Sequence, residues 1–184
     1  MELIGPYLVA CALLALAGAA KAARPADTAR ALGDLVRLPA RLLRTVVRTG
    51  AIAEMVLGLA ALVRPQPATA ALVAASYGGF ASYVAYARSR GGSIATCGCF
   101  GTPDTPATGI HIALDLGLGA SAVALAVAAP SGSIVSILGD QPWSGIPLLL
   151  ASGAGTWLAL LALSTFAKLH AARRLFRPSP GDPA

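Results

Sequence analysis

The chain has 184 residues, of which 56% are hydrophobic and 12% charged, with a mean hydropathy of +0.70, whereas an ordinary soluble domain carries about 25% charged residues. So few charges cannot cover a water-facing surface, and the length allows one compact domain and no more. The net charge of +6 excludes a nucleic-acid reading, because the cations stand at the ends of apolar runs and are not interleaved with aromatics on a polar face.

Leu3 to Ala20 is free of charge and ends at Lys21 and Arg24, long enough to cross about 30 Å of hydrocarbon as a helix. A cleaved signal peptide is the competing reading, but the residues before the apolar core hold Glu2 and no Lys or Arg. Beyond it, Arg30, Asp34, Arg37, Arg41, Arg44 and Arg48 recur at alternating spacings of four and three. Such residues share one helical face. Leu32, Leu35, Leu42 and Leu43 fall opposite them. The pattern predicts a basic amphipathic helix over about 28–45 in the headgroup zone, with a kink or restart at Pro39.

The second span is predicted at 46–63 and contains Glu54 near its middle. A carboxyl at that depth costs several kcal/mol unless paired, protonated or turned to a polar interior, so Glu54 is expected to face the bundle. Lys21, at the end of the first span, can reach it, and the two would then form the bundle's polar interior. The third span, 68–87, follows a turn at Arg64, Pro65 and Pro67. Its Ser76, Gly78, Gly79 and Ser82 are small enough to admit a neighbouring helix.

Residues 91–109 hold Gly91-Gly92, Pro103, Pro106 and two of the three cysteines in Cys97-Gly98-Cys99-Phe100-Gly101. This is a loop, open to being re-entrant. A fourth span at 110–129 begins with His111 and Asp115 and carries Gly117 and Gly119 on its expected packing surface. Trp143 stands where an interfacial anchor would, ahead of a fifth span at 145–166 with Gly153-Ala154-Gly155 in its core. The tail 178–184 reads as disordered. The fold class is therefore all-α: a polytopic membrane bundle of about five spans plus one interfacial helix, a single domain over 1–177. With the N-terminus out and the C-terminus in, every Lys and Arg except Arg64 falls on the inner side.

An odd number of cysteines excludes a complete disulfide framework within the chain. Cys97 and Cys99 are one residue apart, and Gly98 makes the backbone bend of a disulfide accessible. A ring so small is of the strained, labile and catalytic kind. The same thiols could hold a soft metal such as Cu(I) or Hg(II) with His111 as a third ligand; zinc would want a fourth. His111 and Asp115, four apart, share a helical face, where a carboxylate can orient an imidazole that promotes thiolate formation. Cys97, Cys99, His111 and Asp115 are thus the candidate catalytic residues. The alternative keeps His111 at the water interface and bonds Asp115 to a neighbouring helix. Cys11, about 15 Å above the boundary at Lys21, reads as an ordinary apolar filler.

Ala19-Ala20-Lys21 closing the first span, Glu54-Met55-Val56-Leu57-Gly58-Leu59 in the second and Cys97-Gly98-Cys99-Phe100-Gly101 after the third together resemble the MauE family of bacterial membrane proteins, grouped with DoxX-like proteins, over about residues 5 to 125. The resemblance implies a helical inner-membrane bundle, a part in methylamine utilisation, and help with disulfide formation in the small subunit of methylamine dehydrogenase alongside a thioredoxin-like partner. The Ala/Arg/Gly-rich composition fits a high-GC bacterium and a member that serves another enzyme. Disulfide work for a secreted enzyme belongs outside, whereas the charge pattern puts the motif near the inside. A re-entrant motif, exchange with a cytoplasmic or quinone partner, or metal binding would each reconcile the two.

Three functions follow from these residues. The first is thiol-disulfide exchange with a thioredoxin-like or other thiol-redox protein, the second soft-metal binding or transport, and the third a structural role in a larger membrane complex. The partners are the lipid bilayer and such a protein, with no nucleic acid. No cofactor is required, a quinone or a soft metal ion being the two open options.

Overall fold

The computed structural model describes residues 4–33, 36, 38–89, 109–128 and 142–175, and all of its elements are helical. They are α1 (Ile4–Ala23), α2 (Pro25–Gly33), α3 (Ala40–Val63), α4 (Pro67–Ser89), α5 (Gly109–Ala128) and α6 (Pro142–Leu175). Five of them, all but α2, are long and apolar enough to cross a bilayer. The protein is a polytopic membrane bundle.

Local chemistry sets the helix limits. Pro25 and Pro67 occupy first helical positions, where a missing N–H costs nothing. At the start of α4 the Gln66 N–H donates to the Thr69 hydroxyl at 3.1 Å, and that hydroxyl donates back to the Gln66 carbonyl at 3.0 Å. The Arg64 N–H closes α3 on the Ala60 carbonyl at 2.9 Å. This makes the α3–α4 connection a tight turn.

Helix α1 is the hub. Of its apolar stretch 56% is buried, against at most 28% for any other span, and it touches every other helix. Contacts along its length fix the directions of its neighbours. Gly18 meets Ala51 and Met55 while Gly58 meets Cys11 and Ala15, so α3 runs antiparallel to α1. The Tyr77 hydroxyl donates to the Ala10 carbonyl at 2.7 Å and Lys21 lies over Phe80, so α4 runs parallel to it. Gly5 lies near Leu148 and Gly155 near Val9, which makes α6 parallel as well. Helix α5 returns antiparallel beside α4, with Gly119 against Tyr77 and His111 sharing a cavity with Phe80. Tyr7, Cys11 and Leu14 of α1 pack with Val73 and Tyr77 of α4 and Leu125 of α5 to form the main core.

Some boundaries differ from expectation. The basic amphipathic segment 28–45 restarts at Pro39 as expected, but its second part belongs to the helix of the second span. Pro39, with ψ at 134°, separates α2 from α3, and α3 then runs unbroken from Ala40 through the second span, because no proline or glycine pair interrupts it. Since Gly18, near the end of α1, is already level with Ala51, the first turns of α3 extend beyond α1. There α2 folds onto them, burying Ala29, Leu43 and Val47 together. Helix α6 starts at Pro142 and runs to Leu175, past the expected end at Phe166. At 1.5 Å per residue it reaches about 50 Å, longer than the hydrocarbon is thick, so its basic end continues as helix outside.

The small-residue faces also fall differently. Gly78, Gly79, Gly117 and Gly153 have open space where a Cβ would stand. The Ser76 and Ser82 hydroxyls bond their own helix, to the carbonyls of Leu72 and Gly78. Helix α4 packs instead through the bulkier stripe Val73, Tyr77, Ala81 and Val84. Close backbone approach occurs at Gly18 and Gly58. A Cβ on Gly119 or Gly155 would meet a neighbour, 3.4 Å from Tyr77 and 3.2 Å from Val9 respectively.

Candidate functional site

A cavity of ≈ 40 Å³ lies between α1, α4, α5 and α6 toward the end of the bundle at which α1 finishes. Each helix contributes residues at helical spacing. Ala17 and Lys21 come from α1, Tyr77 and Phe80 from α4, and His111, Asp115 and Leu118 from α5. The period that buries a stripe also aligns its polar members. Leucine walls, among them Leu13, Leu14 and Leu114, close the rest, and α6 adds Ala159.

Lys21 is the anchor of the site. It is 7% exposed, and its ammonium makes an ion pair with the Glu54 carboxylate across the α1–α3 seam. The same nitrogen stands 4.4 Å from the centre of the Phe80 ring, where the ring's negative face favours a cation. Phe80 in turn meets Tyr77 edge to face, with ring centres 5.9 Å apart. One lysine therefore ties α1 to α3 by charge and to α4 by an aromatic contact, and its alkyl stem lies along apolar wall.

His111 is 5% exposed and faces the protein interior, not the water interface. Asp115, one turn later, is half-buried on the same wall. Groups that stand apart in the sequence, Lys21 with its partner Glu54 behind it and His111 with Asp115, thus meet where Lys21, His111 and Asp115 line one cavity. Sequence reasoning gave no part to Tyr77 and Phe80. Their spacing of three on α4 was a legible sign of a shared face, but nothing in the sequence marked that face as the one turned to Lys21.

Cys97 and Cys99 lie outside the described residues. Their tether points do not: α4 and α5, which flank 90–108, both bring their loop-side halves to the Lys21 end of the bundle, through Phe80 and His111. Cys11 is fully buried in the main core as a free thiol and does not line this cavity. Among the described residues no three His, Cys, Asp or Glu side chains are grouped to hold a metal ion; the soft-metal set proposed on Cys97, Cys99 and His111 falls partly outside them. The cavity's ≈ 40 Å³ is room for at least one water molecule.

No curated protein and no solved structure gave a significant match. The family described as methylamine utilisation protein MauE matches residues 2–130, which include α1 to α5 and both polar pairs. This five-span protein, with its lysine–glutamate clasp and polar cavity, belongs to the MauE family.

Proposed function

We propose that this protein is a bacterial inner-membrane thiol-redox protein that supports disulfide exchange with a thioredoxin-like or other thiol protein through Cys97 and Cys99, in the setting of methylamine utilisation that the family's description names. The observation that carries the reading is the meeting of His111, Asp115 and Lys21 in one cavity at the end of the bundle where α4 and α5 are joined. The helices that flank the segment bearing both thiols bring these groups to one end of the bundle, and an imidazole and a carboxylate are groups of the kind that take and return a thiol's proton. Membership of the family supports the same role.

In the oxidising direction a partner thiolate attacks the Cys97–Cys99 disulfide. One S–S bond breaks as the mixed disulfide forms, and the displaced cysteine leaves as thiolate. A second partner thiol then closes the partner's own disulfide, and two electrons come to rest on Cys97 and Cys99 as a dithiol. Reoxidation needs a disulfide or quinone acceptor. The Lys and Arg distribution supports an orientation with the N-terminus out and the cysteine segment toward the cytoplasm.

Trapping tests the reading. Of Cys97→Ser and Cys99→Ser, the form that keeps the attacked sulfur should accumulate a mixed disulfide with a protein partner. If neither form captures one, the exchange role fails. Side-specific alkylation of the two thiols in sealed vesicles, with and without reductant, reads their face of the membrane and redox state together.

A further inference from the structure

Arg41, Arg44 and Arg48 follow one another at spacings of three and four in the first turns of α3, so they form one stripe, and all three are exposed. Along the same helix face the stripe passes into Ile52, Leu59 and Val63, which are also exposed. The opposite face of α3 carries Leu43, Val47, Ala51 and Gly58 into the protein. In a membrane bundle an uncovered aliphatic face meets acyl chains, and the level at which it turns to arginine marks the edge of the hydrocarbon. The packing of α1 places that edge independently. Because Gly18 is level with Ala51 and Met55, the end of α1 at Ala23 falls near the level of Arg48. Arg44 and Arg41 lie beyond it, Arg41 by about 10 Å at 1.5 Å per residue, and the headgroup layer of one leaflet is about 5–7 Å deep. The stripe therefore crosses the whole layer in which lipid phosphates sit.

We infer that Arg41, Arg44 and Arg48 form a docking stripe that selects anionic phospholipid headgroups in the leaflet at which α1 ends. A guanidinium presents a planar fork that matches the oxygens of a phosphodiester. A phosphatidylglycerol headgroup brings its negative charge uncompensated, whereas a choline or ethanolamine headgroup sets a cation of its own beside the stripe, so charge complementarity favours the anionic lipid. Both ion pairs found among the described residues, Lys21–Glu54 and Arg30–Asp27, lie apart from these three side chains. Thr45 and Thr49, beside the stripe, donate their hydroxyls to carbonyls of their own helix. Helix α2 braces the extension by burying Ala29 with Leu43 and Val47, so the arginines stand on a supported helix and not on a free arm. An acidic protein surface would match the charge, but the continuity of the stripe with the acyl-facing side puts it where lipid already lies. The inference stands whether or not Cys97 and Cys99 exchange disulfides.

The test uses the full-length protein in micelles supplied with equal amounts of phosphatidylglycerol and phosphatidylcholine, and native mass spectrometry counts the lipids of each kind that stay bound. The parent should retain more phosphatidylglycerol. Arg41→Gln/Arg44→Gln/Arg48→Gln should bring the ratio close to one, and each single substitution should lower it by up to about fivefold, the factor that about 1 kcal/mol per basic residue at an anionic surface represents. Arg64→Gln removes a charge of the same kind at the other end of α3 and should leave the ratio at the parent's value, which separates a local site from an effect of net charge. The three side chains are exposed, so the triple variant should keep the parent's helical circular dichroism; if it does not, the single variants carry the same reading. Equal retention of the two lipids by the parent overturns the inference and leaves the stripe to an acidic protein partner. A preference that survives the three substitutions, or that falls as far in Arg64→Gln, overturns it as well.

Discussion

The two long antiparallel seams of this bundle are built on opposite plans. Where α1 meets α3, glycine on each helix brings the backbones together at two levels. A Cβ on Gly18 would stand 2.6 Å from the Ala51 carbonyl oxygen and the Met55 nitrogen, and one on Gly58 would stand 2.7 Å from the Ala15 nitrogen and the Cys11 carbonyl oxygen. The backbones touch, and Lys21–Glu54 clasps the seam at one level. Where α4 meets α5, the neighbour that a Cβ on Gly119 would meet first is the Tyr77 side chain, at 3.4 Å, and not backbone. Backbone contact leaves no space for chemistry, whereas side-chain packing leaves a cavity at its edge. The seam of backbone contact thus positions the charge, and the seam of side-chain contact carries the groups that face it.

Breaking the clasp should have the largest effect. Lys21→Met leaves the Glu54 carboxylate inside the bundle without its cation, and losing one partner of a buried pair costs about 3–5 kcal/mol; the partial exposure of Glu54, 23% for its side chain, puts the loss at the lower end. Denaturant titration in detergent should show it, and Lys21→Met/Glu54→Gln should recover most of it. A double variant no more stable than the single would mean that the lysine acts by packing alone. Next in size is Gly58→Ala. Its new methyl meets the α1 backbone at the Cys11 carbonyl oxygen and the Ala15 nitrogen, which cannot rotate away, so a loss of about 2–3 kcal/mol is expected from overpacking. Equal stability of Gly58→Ala and its parent in the same titration would show that the seam is not in backbone contact.

Much of this architecture was legible because membrane helices must satisfy their own backbone and be apolar for about 20 residues. The same constraint made a charge such as Glu54 conspicuous, and the only cation within reach of it was Lys21. Which small residues lie at contacts was not legible. Gly58 and Gly78 are both glycines in apolar helices, and only the placement of α1 buries one and opens the other toward the surroundings. Water would penalise an exposed apolar face and so reveal the packed one, but lipid does not. The convergence of Lys21 with His111 was hidden for the same reason, since it depends on the rotation of α5 about its own axis. Cys97 and Cys99, the most distinctive motif in the sequence, owe their prominence to spacing alone.

The smaller effects distinguish the seams most finely. Tyr77→Phe removes the hydroxyl that links α4 to α1 at Ala10. Its acceptor lies within α1 and keeps an intrahelical partner, so no buried group is orphaned and the loss is that of one interhelical hydrogen bond. Such bonds average about 0.6 kcal/mol in membrane bundles and about 1 kcal/mol in soluble proteins, and a midpoint shift of that order is expected. Gly78→Ala lies one residue on, in open space. It should cost nothing and, by restricting the unfolded chain and favouring helix, should stabilise by at most about 1 kcal/mol. The contrast with Gly58→Ala isolates the seam, because helix propensity favours alanine at both positions and only the neighbouring backbone differs. A destabilising Gly78→Ala would mean that the open face of α4 is covered by another helix in the membrane, which a crosslink from a cysteine placed at Gly78 would then locate.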